Sequence, residues 1–307
     1  MQFVSYQAKG VRRTGVLQGG GVLDVSDLID GISLSETAAA ALAHRGIAPA
    51  PGGVLRWLQA GEAERATVGK TIRDRLVSGA GTLPAIGTLQ LHPPFGRPGK
   101  IVGVGRNYAD HAKETGVDPF EKPRIIFKVP SSITGSGATV RKPSLVQKMD
   151  FEGELAVVIG SFAAAVPAEE ALRHVGGYTL LNDLSAREFQ FDVSPPQTTF
   201  AKSMDGFCPL GPTLVTPDEV PDPQALRLRT RVNGTVVQDA TTADMLFPVA
   251  VLISYISQYL TLEPGDVIAT GTPAGIGAFR KPPVWLAPGD RVEVSIDPLG
   301  TLVTVIG

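Results

Sequence analysis

One cysteine in 307 residues, Cys208, is the first constraint on this chain. A single thiol can close no disulfide within the chain and can build no cysteine-rich zinc site. Excess charge of either sign is also missing: 28 Lys and Arg stand against 30 Asp and Glu, a formal charge of −2. That balance leaves no basic footprint for nucleic acid. Long apolar runs are absent as well. The longest, from Leu246 to Ile253, contains Pro248 and falls well short of the ~20 residues a bilayer-spanning helix needs. The opening Met1-Gln2-Phe3-Val4-Ser5 has neither the basic flank nor the apolar stretch of a secretory leader, so the expectation is a cytoplasmic protein with a small-molecule partner, no nucleic acid and no membrane.

What is present is a globular balance, 43% hydrophobic and 19% charged, with enough chain for one large domain or two unequal ones. Thirty-five glycines and 25 prolines favour many short strands over long helices. Residues 1–95 read as a separate amino-terminal unit, with strands around Phe3–Tyr6 and Gly15–Leu17 and helices near Leu34–His44 and Gly53–Gln59. Val68-Gly69-Lys70-Thr71 has Glu64 where a phosphate loop needs glycine, and it reads as a loop tip. The Pro- and Gly-dense His92–Gly99 continues neither regular element and marks the boundary, with residues 96–307 as the catalytic domain.

The most informative stretch is Met149-Asp150-Phe151-Glu152-Gly153-Glu154 running into Leu155-Ala156-Val157-Val158-Ile159-Gly160. On a pleated strand positions i and i+2 share a face, so Glu152 and Glu154 project together from an element entering a core. Two anions about 4 Å apart repel by roughly 4 kcal/mol at an effective dielectric near 20, and something positive must stand between them. An arginine or lysine would serve, and so would a hard divalent cation with oxygen ligands.

Other segments carry polar groups at useful spacings. Ile101–Gly105 reads as a strand leading into a short helix that sets His111 and Glu114 at i and i+3, where a carboxylate can orient an imidazole. A glycine pair, Gly103 and Gly105, lacks the third glycine of a dinucleotide fingerprint because Tyr108 stands there. With Gly116, Pro119 and Pro123 following it, the helix carrying His111 and Glu114 can act as a lid. Gly176–Asp183 reads as a strand ending in an acid, and Ser185-Ala186-Arg187-Glu188 fits a capping box that would start a helix carrying Arg187 and Gln190 on one face. Lys202 lies in an apolar, turn-bounded segment suited to holding an anion. An Asn233-Gly234 hairpin precedes an apolar helix from about Asp244 to Leu260, whose stripe Val249, Leu252, Ile253, Ile256 and Leu260 is set to pack on a sheet. Pro264-Gly265-Asp266-Val267 and Pro288-Gly289-Asp290-Arg291 repeat one turn-into-strand pattern. Between them the loop from Gly271 to Gly277 can offer N–H groups and the Thr272 hydroxyl to an anion.

Val102–Tyr108 with His111 and Glu114, Phe151–Gly160, Asn182–Arg187, Lys202–Phe207 and Gly271–Gly275, in that order and spacing, resemble the fumarylacetoacetate hydrolase family over residues 97–307. The first 95 residues are similar to the looser amino-terminal domain of many members. The resemblance implies an α+β, β-rich fold, a mixed β-sandwich roll, in a homodimer with a divalent cation, usually magnesium and sometimes manganese or calcium. By position it implies Glu152, Glu154 and Asp183 as metal ligands, and His111 and Glu114 as the lid dyad, with the lid from Thr115 to Arg124. Lys202, Arg187, Gln190 and Thr272 match substrate-facing positions, of which Lys202 is read with the dyad as catalytic. Met204 and Phe189 depart from the residues common in the family, and neither removes a ligand.

The activity so implied is hydrolysis of a carbon–carbon bond in a 2,4-dioxo acid of the acylpyruvate or fumarylpyruvate type, releasing pyruvate. Decarboxylation of a 2-oxo acid such as oxaloacetate, or isomerisation of a hydroxydienoate of the homoprotocatechuate route, would use the same electron sink. A metal-stabilised binding protein without turnover is the reading from another class.

Overall fold

The apolar run after Glu152 forms the strand Gly153–Ile159, buried at every position. Alternation sends its side chains into two different cores. Leu155, Val157 and Ile159 pack in one with Leu252, Ile253, Ile256 and Val294. Ala156 and Val158 pack in the other with Phe3, Trp57, Leu58 and Leu214. A strand covered on both faces must lie inside a sheet. The computed structural model, which describes residues 1–79, 83–114, 116 and 118–307, places it there.

The large sheet runs Gly21–Asp24, Val11–Gln18, Gln2–Ala8, Cys208–Val215, Val175–Asn182, Gly153–Ile159, Val267–Ala269, Ile101–Gly105 and Arg124–Lys128. Neighbours along it are antiparallel except Val267–Ala269 with Ile101–Gly105. A five-stranded sheet orders Thr235–Thr241, Arg227–Val232, Arg291–Ile296, Gly300–Ile306 and Thr139–Val140. The architecture is the strand-rich α+β arrangement of mixed sheets expected from the sequence. The first strand joins the large sheet through Phe3↔Leu214, so residues 1–95 extend the sheet that carries the acids.

The repeated turns are built alike. Asp266 Oδ2 accepts from Glu263 N, and Asp290 Oδ2 from Ala287 N, each at 2.7 Å, before a strand begins. The Asn233-Gly234 hairpin also forms, with both residues at positive φ as a type I′ turn requires.

Three local expectations fail, each for a physical reason. Val68–Thr71 is not a loop tip: it lies inside the helix Glu62–Val77, whose only buried residues are Gly69 and Ile72. Its inward face is one narrow stripe, Val68, Ile72 and Leu76, set among charged residues, and the Gly69-Lys70-Thr71 stretch hides it. The helix expected from Asp244 begins at Val249, because Pro248 caps it and disfavours helical backbone in the residue before it. Its stripe does pack on the sheet, with Leu260 half-buried against it. Ser185 caps no helix either. It sits in the short strand Ser185–Ala186, and the helix Glu188–Phe191 starts from Arg187. Two residues of the expected lid, Thr115 and Val117, lie outside the described residues. Among the described residues no helix is long and apolar enough to cross a membrane.

Cys208 is fully buried, and that burial pushes its thiol up to about 12. The thiolate is the reactive species. The folded protein is therefore expected to leave Ellman's reagent unreacted at mildly alkaline pH over a time in which the denatured chain labels completely. Fast stoichiometric labelling of the native protein would contradict this packing.

Candidate active site

Register brings the acids together. Gly153 pairs with Asn182 across two antiparallel strands, so the residues just beyond them, Glu152 and Asp183, stand opposite each other. Asp183 N donates to Glu152 O at 2.8 Å and closes that end of the ladder. Glu154, two residues along, returns to the same side. One carboxylate oxygen from each of Glu152, Glu154 and Asp183 lies within 4.8 Å of the others, and all three residues are buried.

Buried acids at this separation need counter-charges. Lys202 Nζ donates to Glu152 Oε2 at 2.9 Å, Asp183 Oδ2 at 2.6 Å and Ser185 Oγ at 2.9 Å. Lys128 Nζ donates to Asp183 Oδ1 at 2.6 Å and to the carbonyls of Phe207 and Lys202. Arg187 spans the group, reaching Glu152 Oε1 at 2.6 Å, Asp150 Oδ2 at 2.9 Å and Gln190 Oε1 at 2.8 Å. Burial pushes the Glu152 carboxyl up, but the charges of Lys202 and Arg187 outweigh it and hold it well below the usual carboxylate range. Burial also disfavours the charged forms of Lys202 and Arg187, and the neighbouring acids reverse that and keep both ionised.

Glu154 is different. Among the described residues it makes no ion pair, and the hydrogen bond it accepts comes from Gly271 N at 2.9 Å. Burial, then the charges of Asp183 and Glu152, raise its carboxyl well above the ordinary value. Both options left open by the sequence thus meet here: lysines and an arginine neutralise two acids, and the third is left over. A converging set of hard oxygen donors with one acid uncompensated fits a divalent cation of the magnesium or manganese kind.

The loop after Ala269 serves this cluster. Its Gly271 N–H is spent on Glu154. A side chain at Gly271, where φ is +100°, would stand 2.8 Å from Asn107 Cβ and 2.9 Å from Val104 O. The Thr272 hydroxyl donates to Gly153 O at 2.9 Å and accepts from Gln238 Nε2 at 2.7 Å. The anions this loop satisfies are the protein's own carboxylates, Glu154 at Gly271, Glu114 at Gly275 and Asp150 at Gly277.

His111 and Glu114 pair on the short helix Ala109–Glu114, with Nδ1 3.1 Å from Glu114 Oε2. Glu114 Oε1 accepts from Gly275 N at 3.1 Å, which ties the helix to the same loop. With Nδ1 held this way, Nε2 is the nitrogen left for chemistry. Of the nine residues expected from the sequence, seven line one cavity of about 240 Å³; Glu114 and Glu154 do not, and adjoin it through His111 and the acid triad.

Sequence reasoning passed over Asp150, Lys128 and Gln238. Asp150 accepts from Phe151 N, Gly277 N, Ala278 N and Arg187 Nε. Its signal was available, since Asp150, Glu152 and Glu154 alternate. Lys128 closes an apolar strand and meets an acid 55 residues away, which no local pattern reports. Gln238 bonds Gly153, Thr272 and Pro273 across two sheets.

A family model, the carboxy-terminal domain of fumarylacetoacetate hydrolase, matches residues 100–306. The chain is 42% identical over 256 residues to a Bos taurus protein named oxaloacetate tautomerase FAHD2A, mitochondrial, covering 83% of this chain and 80% of that one. Its fold matches a fumarylacetoacetate hydrolase from Exiguobacterium antarcticum with a TM-score of 0.77 and 35% identity, covering 100% of this chain and 99% of that one. It also matches a maleylpyruvate hydrolase from Sphingobium sp. SYK-6, solved with manganese and pyruvate, with a TM-score of 0.76 and 27% identity, covering 100% and 98%.

Because Glu154 keeps its proton to a higher pH than an ordinary glutamate, a cation must displace that proton. Affinity is then expected to rise with pH until the folded-state value is passed, and to fall on acidification. Calorimetric titration with Mn²⁺ in buffers of different ionisation heat should report about one proton released in mildly acid solution. Glu154→Gln should abolish the release. A pH-independent affinity with no proton released would remove Glu154 from the cation site.

Proposed function

The chain belongs to the fumarylacetoacetate hydrolase family, and from that premise we propose that it moves protons on a 2-oxo acid held at the Glu152, Glu154 and Asp183 cluster, with keto–enol interconversion of oxaloacetate as its reaction. The observation that carries this reading is the uncompensated Glu154 in a buried acid triad, on a cavity that also presents His111 with Nε2 unused. The name of the 42% identical relative supports the choice of substrate.

A divalent cation, magnesium or manganese, on those three acids would supply the Lewis acidity that draws electrons toward the 2-oxo oxygen. The chain's own residues do the rest. His111 Nε2 takes a proton from the carbon next to the carbonyl, and Glu114 steadies the imidazolium that forms. The electron pair moves into the carbon–carbon bond, and the enolate oxygen takes a proton from the His111 imidazolium, directly or through water, which returns His111 to its neutral form and releases the tautomer with no atom lost. Lys202 stays charged and faces the cavity with Arg187, where both oppose the negative charge that develops.

Hydrolysis of an acylpyruvate, the reaction first implied by the sequence, is the second reading, and the match to a maleylpyruvate hydrolase solved with pyruvate favours it. There His111 would take its proton from water, whose oxygen adds to the distant carbonyl before the carbon–carbon bond breaks and pyruvate enolate is protonated. We also propose a cytoplasmic homodimer, and a division of the chain into an amino-terminal unit, 1–95, that extends the large sheet and a catalytic unit, 96–307; the family match beginning at residue 100 supports that boundary.

A substrate panel separates the readings: decay of enol-oxaloacetate absorbance, release of pyruvate from acylpyruvates, and both with chelator. Tautomerase activity with no acylpyruvate cleavage is expected. His111→Ala should lower turnover by about 10² to 10⁴-fold while Mn²⁺ still binds. Full activity in that variant would remove the base from the mechanism.

A further inference from the structure

The cavity wall carries five cationic side chains, Arg106, Arg124, Lys128, Arg187 and Lys202, against two carboxylates, Glu152 and Asp183. Three of the five are engaged with acids of the cluster. Arg106 and Arg124 are not. Among the described residues neither guanidinium makes an ion pair or a hydrogen bond. Both lie over the ring of Phe120, at 5.5 Å and 6.0 Å from its centre.

Their placement is built into the backbone. Gly105 and Arg124 are register partners on the paired strands Ile101–Gly105 and Arg124–Lys128, so Arg106 leaves its strand directly beside Arg124. It does so at φ +56°, a conformation that side-chain-bearing residues rarely adopt. Strain of this kind gathers at ligand sites. A Cβ at Gly105 would crowd Ile126 Cδ1 at 3.1 Å and only touch Arg124 Cδ at 3.5 Å, so the Arg124 stem runs alongside this position in ordinary contact.

We propose that Arg106 and Arg124 form a two-armed clamp for the second carboxylate of a 2-oxo dicarboxylic acid whose first carboxylate and keto oxygen sit at the acid cluster. Two forked guanidinium groups side by side match a carboxylate, which can accept from both. An anion between them also relieves their mutual repulsion; burial and then the charge of Arg124 already disfavour the ionised form of Arg106. The clamp rests on the reading of the site given above and deepens it: the enzyme would select dicarboxylic over monocarboxylic 2-oxo acids.

The test uses stable analogues that cannot enolise. Malate and 2-hydroxybutyrate differ only in a carboxylate against a methyl group, and oxalate lacks the distal group altogether. Calorimetric titration of the manganese-loaded protein should show malate binding about 10- to 100-fold more tightly than 2-hydroxybutyrate. Arg124→Gln and Arg106→Gln, checked for unchanged thermal unfolding, should each cut that preference by about tenfold and leave oxalate affinity unaltered. Arg124→Lys, which keeps the charge and loses the fork, should fall between. If oxalate binds but wild type shows no preference, or both glutamine variants keep it in full, the clamp is overturned and the reading of the acid cluster stands. If the manganese-loaded wild type binds no oxalate, the reading of the cluster fails and takes the clamp with it.

Discussion

Everything in this site depends on forcing three carboxylates together inside a sheet. The antiparallel pairing of Gly153 with Asn182 leaves Glu152 and Asp183 no choice but to face each other, and the pleat adds Glu154. Buried like charges at this distance are tolerated only when opposite charge is delivered to the same place. The surrounding fold can be understood as that delivery. The strand Arg124–Lys128 brings Lys128 to Asp183, the turn after Thr198–Ala201 brings Lys202 between two acids, and the short strand at Ser185–Ala186 aims Arg187 at the third side.

Asp150 makes this network rigid. Its carboxylate takes N–H groups from Gly277 and Ala278 on one side and Arg187 Nε on the other, so the arginine and the glycine-rich loop hold each other in position. That loop in turn grips Glu154 through Gly271 and Glu114 through Gly275. Base and acid cluster therefore hang from one segment of backbone. A shift of the loop would move both, which keeps the distance between the His111–Glu114 pair and the acid cluster from drifting.

How much of this could be read from sequence follows the range of each interaction. Glu152 and Glu154 were visible because strand alternation is local, and His111 with Glu114 because helical spacing is local too. Asp183 was found at the end of its strand even though the capping pattern beside it was misread: Ser185 turned its hydroxyl to Lys202 and the Asp183 carbonyl. The helix Glu62–Val77 is harder to read because its inward stripe, Val68, Ile72 and Leu76, is narrow and the charged residues around it imitate a surface loop. Lys128, Gln238 and the role of the Gly271 N–H were out of reach for a different reason. Their partners are set by how sheets stack, and no periodicity in a single segment encodes that.

Counting charge explains why Glu154 behaves unlike its neighbours. Asp150, Glu152 and Asp183 are balanced by Lys128, Arg187 and Lys202, three against three, through direct contacts. A fourth buried negative charge would be unmatched, and burial with the charges of Asp183 and Glu152 therefore raises the Glu154 carboxyl well above its ordinary value. Glu152, Glu154 and Asp183 holding a doubly charged ion would carry Glu154 ionised, and four negative charges against five positive would leave the cluster with a single positive charge. On the proposed reading, that charge would attract the carboxylate end of a keto acid and oppose the negative charge that grows as a proton leaves its carbon. A fourth cation built in beside Glu154 would have matched the remaining acid and removed the charge imbalance that makes the cluster fit a divalent ion.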